Sequence, residues 1–514
     1  MLNKAVLPPG LSKERFAAAL AEYRAIVGDQ WVLVDLDQLT PYSRLMVPDD
    51  PLNHQPCGAI APASVAEIQR ILAVSNKYKI PLWTISVGRN FGYGEAAPAT
   101  PGQMVLDLRR MNRIIEVDPV LGTALVEPGV TFKQLQDYLV EHDLPFWFNK
   151  PAPAPVVGPM GFTLERGMGY TRYQEQAQNF SGMEVVLADG SVVRTGMGGV
   201  ENAKTWQAYR WGYGPWVDGL FLQSNLGIVT KLGLWLMKRP ASHVTWAAGF
   251  ADMKGAARAV EMLRDLRMDG VVDNGMVFHM SYGVALTQRR ADIFKGPGAI
   301  PDAMWAGIAQ QAGLTVWSAA GTIFGYPEQV KVNLAILKKS MEEIGGQFIT
   351  EQQVSGPASI MFNNIKMITT NELSLEDFAI FNYRGAGGAW FAPVIPAKAE
   401  DALACYETMQ RVLSEYGFDY IGGYMIGYSG RHFDAATILL FDRDNPEELQ
   451  RASACYNKLV DTCAAAGYAL YRAGTPLMKK TADIYGPAQK ALNARLKSAL
   501  DPNHILAPGK SGIA

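Results

Sequence analysis

The sequence predicts an α+β protein assembled in two architectural styles, and three observations carry that prediction. From about Ser242 onward a strand–helix–strand pattern recurs within one stretch of roughly 225 residues. The half before it alternates short apolar strands with single helices, punctuated by glycine and proline. Neither GxGxxG in a strand-to-helix setting nor GxxxxGK[ST] occurs, so a Rossmann or P-loop nucleotide domain is not expected. A chain of 514 residues also exceeds what one core serves, and about two to four structural units follow.

Composition narrows the function classes. Hydrophobic residues at 48% and charged residues at 19% describe a well-cored globular protein. A net charge of −2 gives no electrostatic reason to expect nucleic acid. No apolar run approaches the ~20 residues needed to cross a bilayer, so no membrane partner is expected. The N-terminus, MLNKAVLPPGLSKERF, has no apolar core of signal-peptide length, which makes a cytoplasmic location the default expectation. Cys57, Cys405, Cys455 and Cys463 form no CxxC, and the six histidines form no HxH or HExxH. Free thiols and no metal site are expected.

Taken in order, Leu11 to Ile26 reads as a helix and Thr40 to Pro48 as an irregular lead-in. Ser64 is placed to cap a helix from Val65 to Tyr78, whose Ile68, Ile71, Leu72 and Val74 form a buried stripe. A short strand, Ile80 to Ile85, runs into the stretch Trp83 to Pro98, which packs three glycines, Arg89, Asn90 and Tyr93 into seven residues. Glycine reaches backbone angles that let consecutive amides converge on one anion, and Arg89 adds a planar fork of donors. A pyrophosphate cradle is the functional reading, and a structural turn the plain one.

A strand pair follows, Ile114 to Val117 with Ala124 to Glu127, and Glu127-Pro128-Gly129-Val130-Thr131 turns into a helix ending at His142. Asn149 to Gly158 is a proline-fixed loop. The Asp189-Gly190 turn joins Met183–Ala188 to Ser191–Thr195 as a hairpin. A strand ending at Leu236 closes this half, and Lys238-Arg-Pro marks a boundary. The repeat then places strand, helix and strand at Val244–Phe250, Lys254–Leu266 and Val277–Met280, and again at Ala389–Val394, Ala397–Tyr416 and Tyr420–Ile426. Segments from Thr315 and Ala436 read the same way. Such duplication builds an antiparallel sheet with helices on one face. A last helix is expected from Asp483 to Leu500. The expected units are 1–240, 241–465 and 466–514.

Several long motifs then resemble one family. PLWTISVGRNFGYGEAAP, VEPGVTF, RGMGYT, SGMEVVLADGSVVRTGMGG, QSNLGIVTKLGLWLM, WFAPV, LYR and DPNHILAPGKSGI are similar to the vanillyl-alcohol oxidase / 4-cresol dehydrogenase flavoproteins over nearly the whole chain. The resemblance implies a two-lobed PCMH-type FAD-binding domain from the first and last units, under a ferredoxin-like-repeat cap. It implies FAD held at Ser86, Val87, Gly88, Arg89, Asn90, Gly92 and Gly94. Glu127, Pro128, Gly129, Gly167, Gly169, Tyr170, Thr171, Gly227, Ile228 and Val229 would also line the cofactor. It implies a 4-alkylphenol bound as phenolate by Tyr93, Tyr471 and Arg472, with Tyr170 a further pocket residue. A permanently charged arginine and two phenolic donors lower the phenol's pKa and activate its para carbon. Hydride loss to flavin then leaves a quinone methide that adds water. A homodimer is implied, with a c-type cytochrome subunit or O2 as electron acceptor, and a periplasmic location if cytochrome-linked.

Three departures from the family pattern qualify these implications. The histidine that tethers FAD in the oxidase branch has no counterpart before WFAPV, and Tyr383 is the residue expected to take its place through an O-tyrosyl bond. Non-covalent FAD is the alternative. Pro151 to Met160 lacks the family's catalytic aspartate, leaving Asp434 or His432 as the expected water-activating base. Lys510 replaces an arginine beside the flavin ring and keeps the charge without the bidentate fork. A 2-hydroxy-acid dehydrogenase on the same fold, or a flavin-binding protein without turnover, are the competing readings.

Overall fold

The computed structural model describes residues 6–152, 154–354 and 358–514. Three sheets organise it. The first has four strands in the order Val32–Leu33, Gly58–Ile60, Met104–Asp107, Leu82–Ile85, the last three mutually parallel. Its covering helices are Lys13–Val27, capped by Ser12, and Val65–Tyr78, capped by Ser64. Ile68, Ile71, Leu72 and Val74 are all buried in the core these helices share with the sheet, because 3.6-residue spacing lines them on one face.

The second sheet is antiparallel, with five strands in the order Ile114–Asp118, Thr123–Val126, Ile228–Trp235, Phe180–Val186, Val192–Arg194. The Asp189-Gly190 hairpin sits at its edge. The helix Phe132–Glu141 packs beneath it, and Thr131 and Gln134 form a reciprocal capping box that fixes its start.

The third sheet is the largest, with eight antiparallel strands. Its main path runs Gln347–Thr350, Ser242–Phe250, Trp317–Gly325, Met276–His279, Gly422–Ile426, His432–Asp442, Ala386–Phe391. Alternation along its strands separates two faces. Trp246, Ala248, Val277, Ala319, Leu439 and Phe441 pack on one side with helices Met253–Met268, Pro327–Glu343, Ala399–Glu415 and Pro446–Ala465. Their neighbours Ala247, Met276, Ala320, Ile438 and Leu440 pack in separate clusters. That second face is the one turned to the functional site. The two halves of the repeat meet where Met276 pairs with Met425.

The chain's last segment returns to the first sheet. Leu82 donates its N–H to Ile505 and accepts from Ala507, both at 2.7 Å. Lys497 and Asp501, both without exposure, pair at 2.7 Å beneath this segment, and Asn225 donates to the carbonyls of Ala507 and Ile513. Among the described residues no helix is long and apolar enough to cross a membrane, and no cluster of His, Cys, Asp or Glu is arranged to hold a metal.

Three expectations about elements are corrected. The last helix is two, Met478–Ile484 and Pro487–Leu500, because Pro487 lacks an N–H to continue the first. A helix, Leu36–Ser43, occupies the first part of the lead-in expected to be irregular. Helices Ser281–Thr287, Asp302–Ala312 and Ala358–Thr369 lie between the repeat units, where no periodic signal announced them.

Candidate active site

A cavity of about 1320 Å³ opens between the glycine loop and the second face of the large sheet. Gly88, Gly92 and Gly94 take left-handed backbone angles, with φ of +65°, +73° and +108°. The amides of residues 87 to 91 donate no hydrogen bond to the described residues. Five consecutive unspent donors on a cavity wall form an anion cradle, which fits the diphosphate of FAD. Ser86, Val87, Gly88, Arg89 and Asn90 all line the cavity. Ser86 approaches the helix Pro159–Leu164 so closely that a Cβ at Gly161 would lie 2.6 Å from its hydroxyl.

Gly92 and Gly94 do a different job. The Gly92 amide is spent on Glu95, which also accepts from Met46, both at 2.9 Å. A Cβ at Gly92 would meet Trp390 at 2.6 Å, and one at Gly94 would meet the Thr475 hydroxyl at 1.9 Å. These two glycines seat the loop rather than face the cavity. Burial pushes the Glu95 carboxyl up to about 7.

Of the other expected cofactor residues, Pro128, Tyr170, Gly227, Val229 and Lys510 line the cavity. Glu127, Gly129, Gly167, Gly169, Thr171 and Ile228 do not line it directly. Glu127 is gripped by the Arg113 guanidinium at 2.7 and 3.1 Å. Gly129 lies under the Arg109 carbonyl, Gly167 against the Phe162 ring and Gly169 against Asn149. Thr171 donates to Asn149 at 2.8 Å, and Ile228 is core. These residues shape the wall from behind. Lys510 is paired with Glu165, with its ammonium 5.5 Å from the Trp83 ring. Burial raises the Glu165 pKa, but Lys510 and Arg472 outweigh it and hold the carboxyl below its ordinary value.

Tyr93, Tyr471 and Arg472 come together although they arrive from opposite ends of the chain. The two hydroxyls are 3.4 Å apart, and the Arg472 guanidinium stacks 4.1 Å over the Tyr93 ring. Arg472 donates to Asn90 of the glycine loop, while its buried Nε finds no partner among the described residues. Gln223 fixes the approach of this pair by donating to the Tyr471 carbonyl at 2.9 Å. Burial raises both tyrosine pKa values, so both stay protonated donors, with Arg472 opposing the shift.

Tyr383 is not brought to this cavity. Its buried hydroxyl donates to Asp419 at 3.1 Å, and Asp419 is also paired with Arg290 at 2.8 Å. Its neighbours Ile380 and Phe381 line the wall instead.

Two buried carboxyls flank the tyrosines. Asp434, on the strand His432–Asp442, is pushed up to about 7 by burial, against the pull of His432. Its charge acts on both Tyr93 and Tyr471, although it is not itself in the cavity wall. His432 lies 3.6 Å from Glu175, which raises the imidazole pKa. Asp377 was not anticipated. It lines the cavity, accepts from Asn364 at 3.0 Å on one oxygen, and has no partner among the described residues for the other. Burial raises its pKa, while Asn364 and the buried Lys150 oppose the shift. Tyr170 lines the same cavity, and burial raises its pKa, with Asp377 and Tyr93 adding to the shift. Gln223 opens the motif QSNLGIVTKLGLWLM and Glu165 immediately precedes RGMGYT, whereas Asp377 is preceded by no motif.

Residues 56–196 match a family described as FAD binding domain, and residues 394–511 one described as FAD linked oxidases, C-terminal domain. The chain is 41% identical to the 4-cresol dehydrogenase [hydroxylating] flavoprotein subunit of Pseudomonas putida, over 99% of this chain and 98% of the relative. Among solved structures, p-cresol methylhydroxylase with substrate bound superposes with a TM-score of 0.96 at 40% identity, covering 99% of both chains. The 4-ethylphenol oxidase of Gulosibacter chungangensis, in an isoeugenol complex, gives 0.94 at 32% identity, again over 99% of both.

Proposed function

The chain belongs to the vanillyl-alcohol oxidase / 4-cresol dehydrogenase family of FAD flavoproteins, and from that premise we propose that it oxidises the benzylic carbon of a 4-alkylphenol. The observation that carries this reading is the Tyr93–Tyr471 hydroxyl pair at 3.4 Å with the unpaired Nε of Arg472 beside it. Two neutral donors and one permanent cation suit a phenolate oxygen better than a carboxylate, which would favour a second arginine or a lysine in reach.

The residues divide the reaction by position. Asp434 acts at the phenol end, where its charge reaches both tyrosines, and because it stands behind the cavity wall the phenolic proton reaches it through a tyrosine hydroxyl. Tyr93, Tyr471 and Arg472 hold the resulting phenolate. FAD, held by the amides of residues 87–91, supplies the acceptor for the benzylic hydride when bound. Substrate minus that proton and that hydride is a para-quinone methide. Its electrophilic carbon lies across the ring from the phenolate, towards Tyr170 and Asp377. Asp377, with one oxygen held by Asn364 and the other free, accepts a proton from water as the water oxygen bonds to that carbon. The ring regains aromaticity, and the product is a 4-hydroxybenzylic alcohol.

The electron acceptor is a c-type cytochrome or O2, and the designation of the Pseudomonas putida relative as a subunit supports a protein partner. Anaerobic mixing with 4-ethylphenol tests the function: the flavin absorbance should bleach, and D-lactate or glycolate should leave it unchanged. Bleaching by 2-hydroxy acids alone would overturn the reading. Reoxidation by air against reoxidation by a c-type cytochrome, followed by stopped flow, decides the acceptor.

A further inference from the structure

The strand Ala386–Phe391 ends the path of the large sheet, and among the described residues no strand pairs with its outer edge. Two amides on that edge are nevertheless satisfied. Gly388 donates to the Met46 carbonyl at 2.9 Å, and Trp390, two residues on, donates to the Gly92 carbonyl at 3.0 Å. These acceptors come from separate segments. Met46 lies between Leu45 and Val47, which pack in the cap core, and Gly92 belongs to the glycine loop. A neighbouring strand would tie two such acceptors together through its own backbone. Here one carboxylate does so: Glu95 accepts from the Gly92 amide on one oxygen and from the Met46 amide on the other, both at 2.9 Å. Met46 and Gly92 therefore each give a carbonyl to the cap strand and an amide to Glu95. Only an ionised carboxylate offers two acceptor oxygens to two amides, and Arg443 and Arg44 favour that form against burial.

We propose that Glu95 is a positioning residue for phenolate recognition, clamping the glycine loop to the cap so that Tyr93 and Arg472 meet the phenol oxygen in register. The inference rests on the phenolate site described above and adds to it a residue that acts through Tyr93 and Arg472. The turn from Asn90 to Glu95 carries the connection. The Asn90 carbonyl accepts from the amides of Tyr93 and Glu95 at 3.0 and 3.2 Å, while the Asn90 side chain accepts from Arg472. Gly92 sits at the centre of this turn with φ of +73° and no side chain to restrict it. Once Glu95 releases its amide, the Gly92 peptide is free to rotate, and Tyr93, the next residue, moves with it. A displacement of about 1 Å at a site of this kind costs on the order of 10²-fold in rate.

The test uses holoenzyme, Glu95→Gln and Glu95→Gly, with 4-hydroxybenzaldehyde as the probe, because its phenol and phenolate forms absorb differently. Glutamine keeps the size and turns an N–H donor towards one of the two amides. Glycine removes the carboxylate and suits the left-handed φ of +49° at this position. Titrating the bound probe by difference absorbance reads its pKa in the site. The wild type should hold it well below its value in water, and both variants should raise it by roughly half a unit or more. The flavin-to-protein ratio should stay unchanged, and kcat/KM for 4-ethylphenol should fall about 10- to 10²-fold. A bound-probe pKa equal to wild type in both variants would overturn the proposal even if thermal stability fell, because a merely structural residue gives that result. Loss of FAD from both variants would overturn it too, by assigning the clamp to the cofactor. If the wild type does not lower the probe's pKa, the phenolate site fails and the proposal with it.

Discussion

The hydroxyls of Tyr93 and Tyr471 lie 3.4 Å apart after a separation of 378 residues. Neither tyrosine alone recognises a phenolate, and their convergence depends on loop contacts far from the oxygens. Thr475 donates both its N–H and its hydroxyl to the Tyr93 carbonyl, at 2.8 and 3.0 Å, and Gln223 holds the Tyr471 carbonyl.

The first prediction addresses that pair. Tyr471→Phe should lower kcat/KM for 4-ethylphenol by about 10²-fold, and Arg472→Ala by about 10²–10³-fold, as for lost oxyanion donors. Steady-state kinetics with the flavin content held equal checks this. A variant within threefold of wild type would remove the phenolate site from this position.

A pH profile tests Asp434. A carboxyl titrating at about 7 is neutral below that pH and a proton acceptor above it. Rising activity through pH 6 to 8 is therefore expected (~7 ± 1), and Asp434→Asn should abolish that limb of kcat/KM. His432→Gln should instead shift the limb, because His432 acts on Asp434 without replacing it. An unaltered profile in Asp434→Asn would assign the proton elsewhere.

Asp377 should separate the two half-reactions. In Asp377→Asn, flavin reduction by 4-ethylphenol should stay within about tenfold of wild type. Formation of the benzylic alcohol should fall by about 10²-fold, with 4-vinylphenol accumulating as the unhydrated quinone methide rearranges. Chromatographic product ratios decide it, and an unchanged alcohol yield would exclude Asp377 as the water's base.

Tyr383 supplies a fourth prediction. Because its hydroxyl serves Asp419, which keeps Arg290 and the Ile300 amide, Tyr383→Phe should retain FAD and lose about 1–2 kcal/mol of stability from the one lost hydrogen bond. Acid precipitation of the wild type should leave the flavin in the supernatant. Yellow colour in the wild-type pellet, absent from the Tyr383→Phe pellet, would establish a covalent tether at Tyr383.

Much of this organisation was legible because local chemistry repeats it. The capping residue Ser64, the Asp189-Gly190 hairpin and the strands of the large sheet each announce their element within a few residues. Motif order likewise identified Tyr93, Tyr471 and Arg472 as partners. What was illegible is direction. Nothing in Gly92 and Gly94 distinguishes a glycine that faces a diphosphate from one that seats a loop on Trp390 and Thr475, because both uses demand a missing side chain. Glu127 sits in a family motif yet turns to Arg113, and Tyr383 turns to Asp419. Asp377 escaped notice because a single buried carboxyl leaves no periodic trace, and the helix Ala358–Thr369 before it lies outside the repeat.

The pairing of Leu82 with residues 505 to 507 also sets an order of events during synthesis. Leu82 begins the strand that carries the glycine loop, and its partners emerge more than 400 residues later. The first sheet therefore stays unfinished, and its loop unsupported on one edge, until nearly the whole chain has left the ribosome. Closing so distant a contact is slow compared with forming the local helices of the cap. The cap is thus expected to fold first and to wait, with the cofactor lobe completing last around a chain end that also carries Lys510.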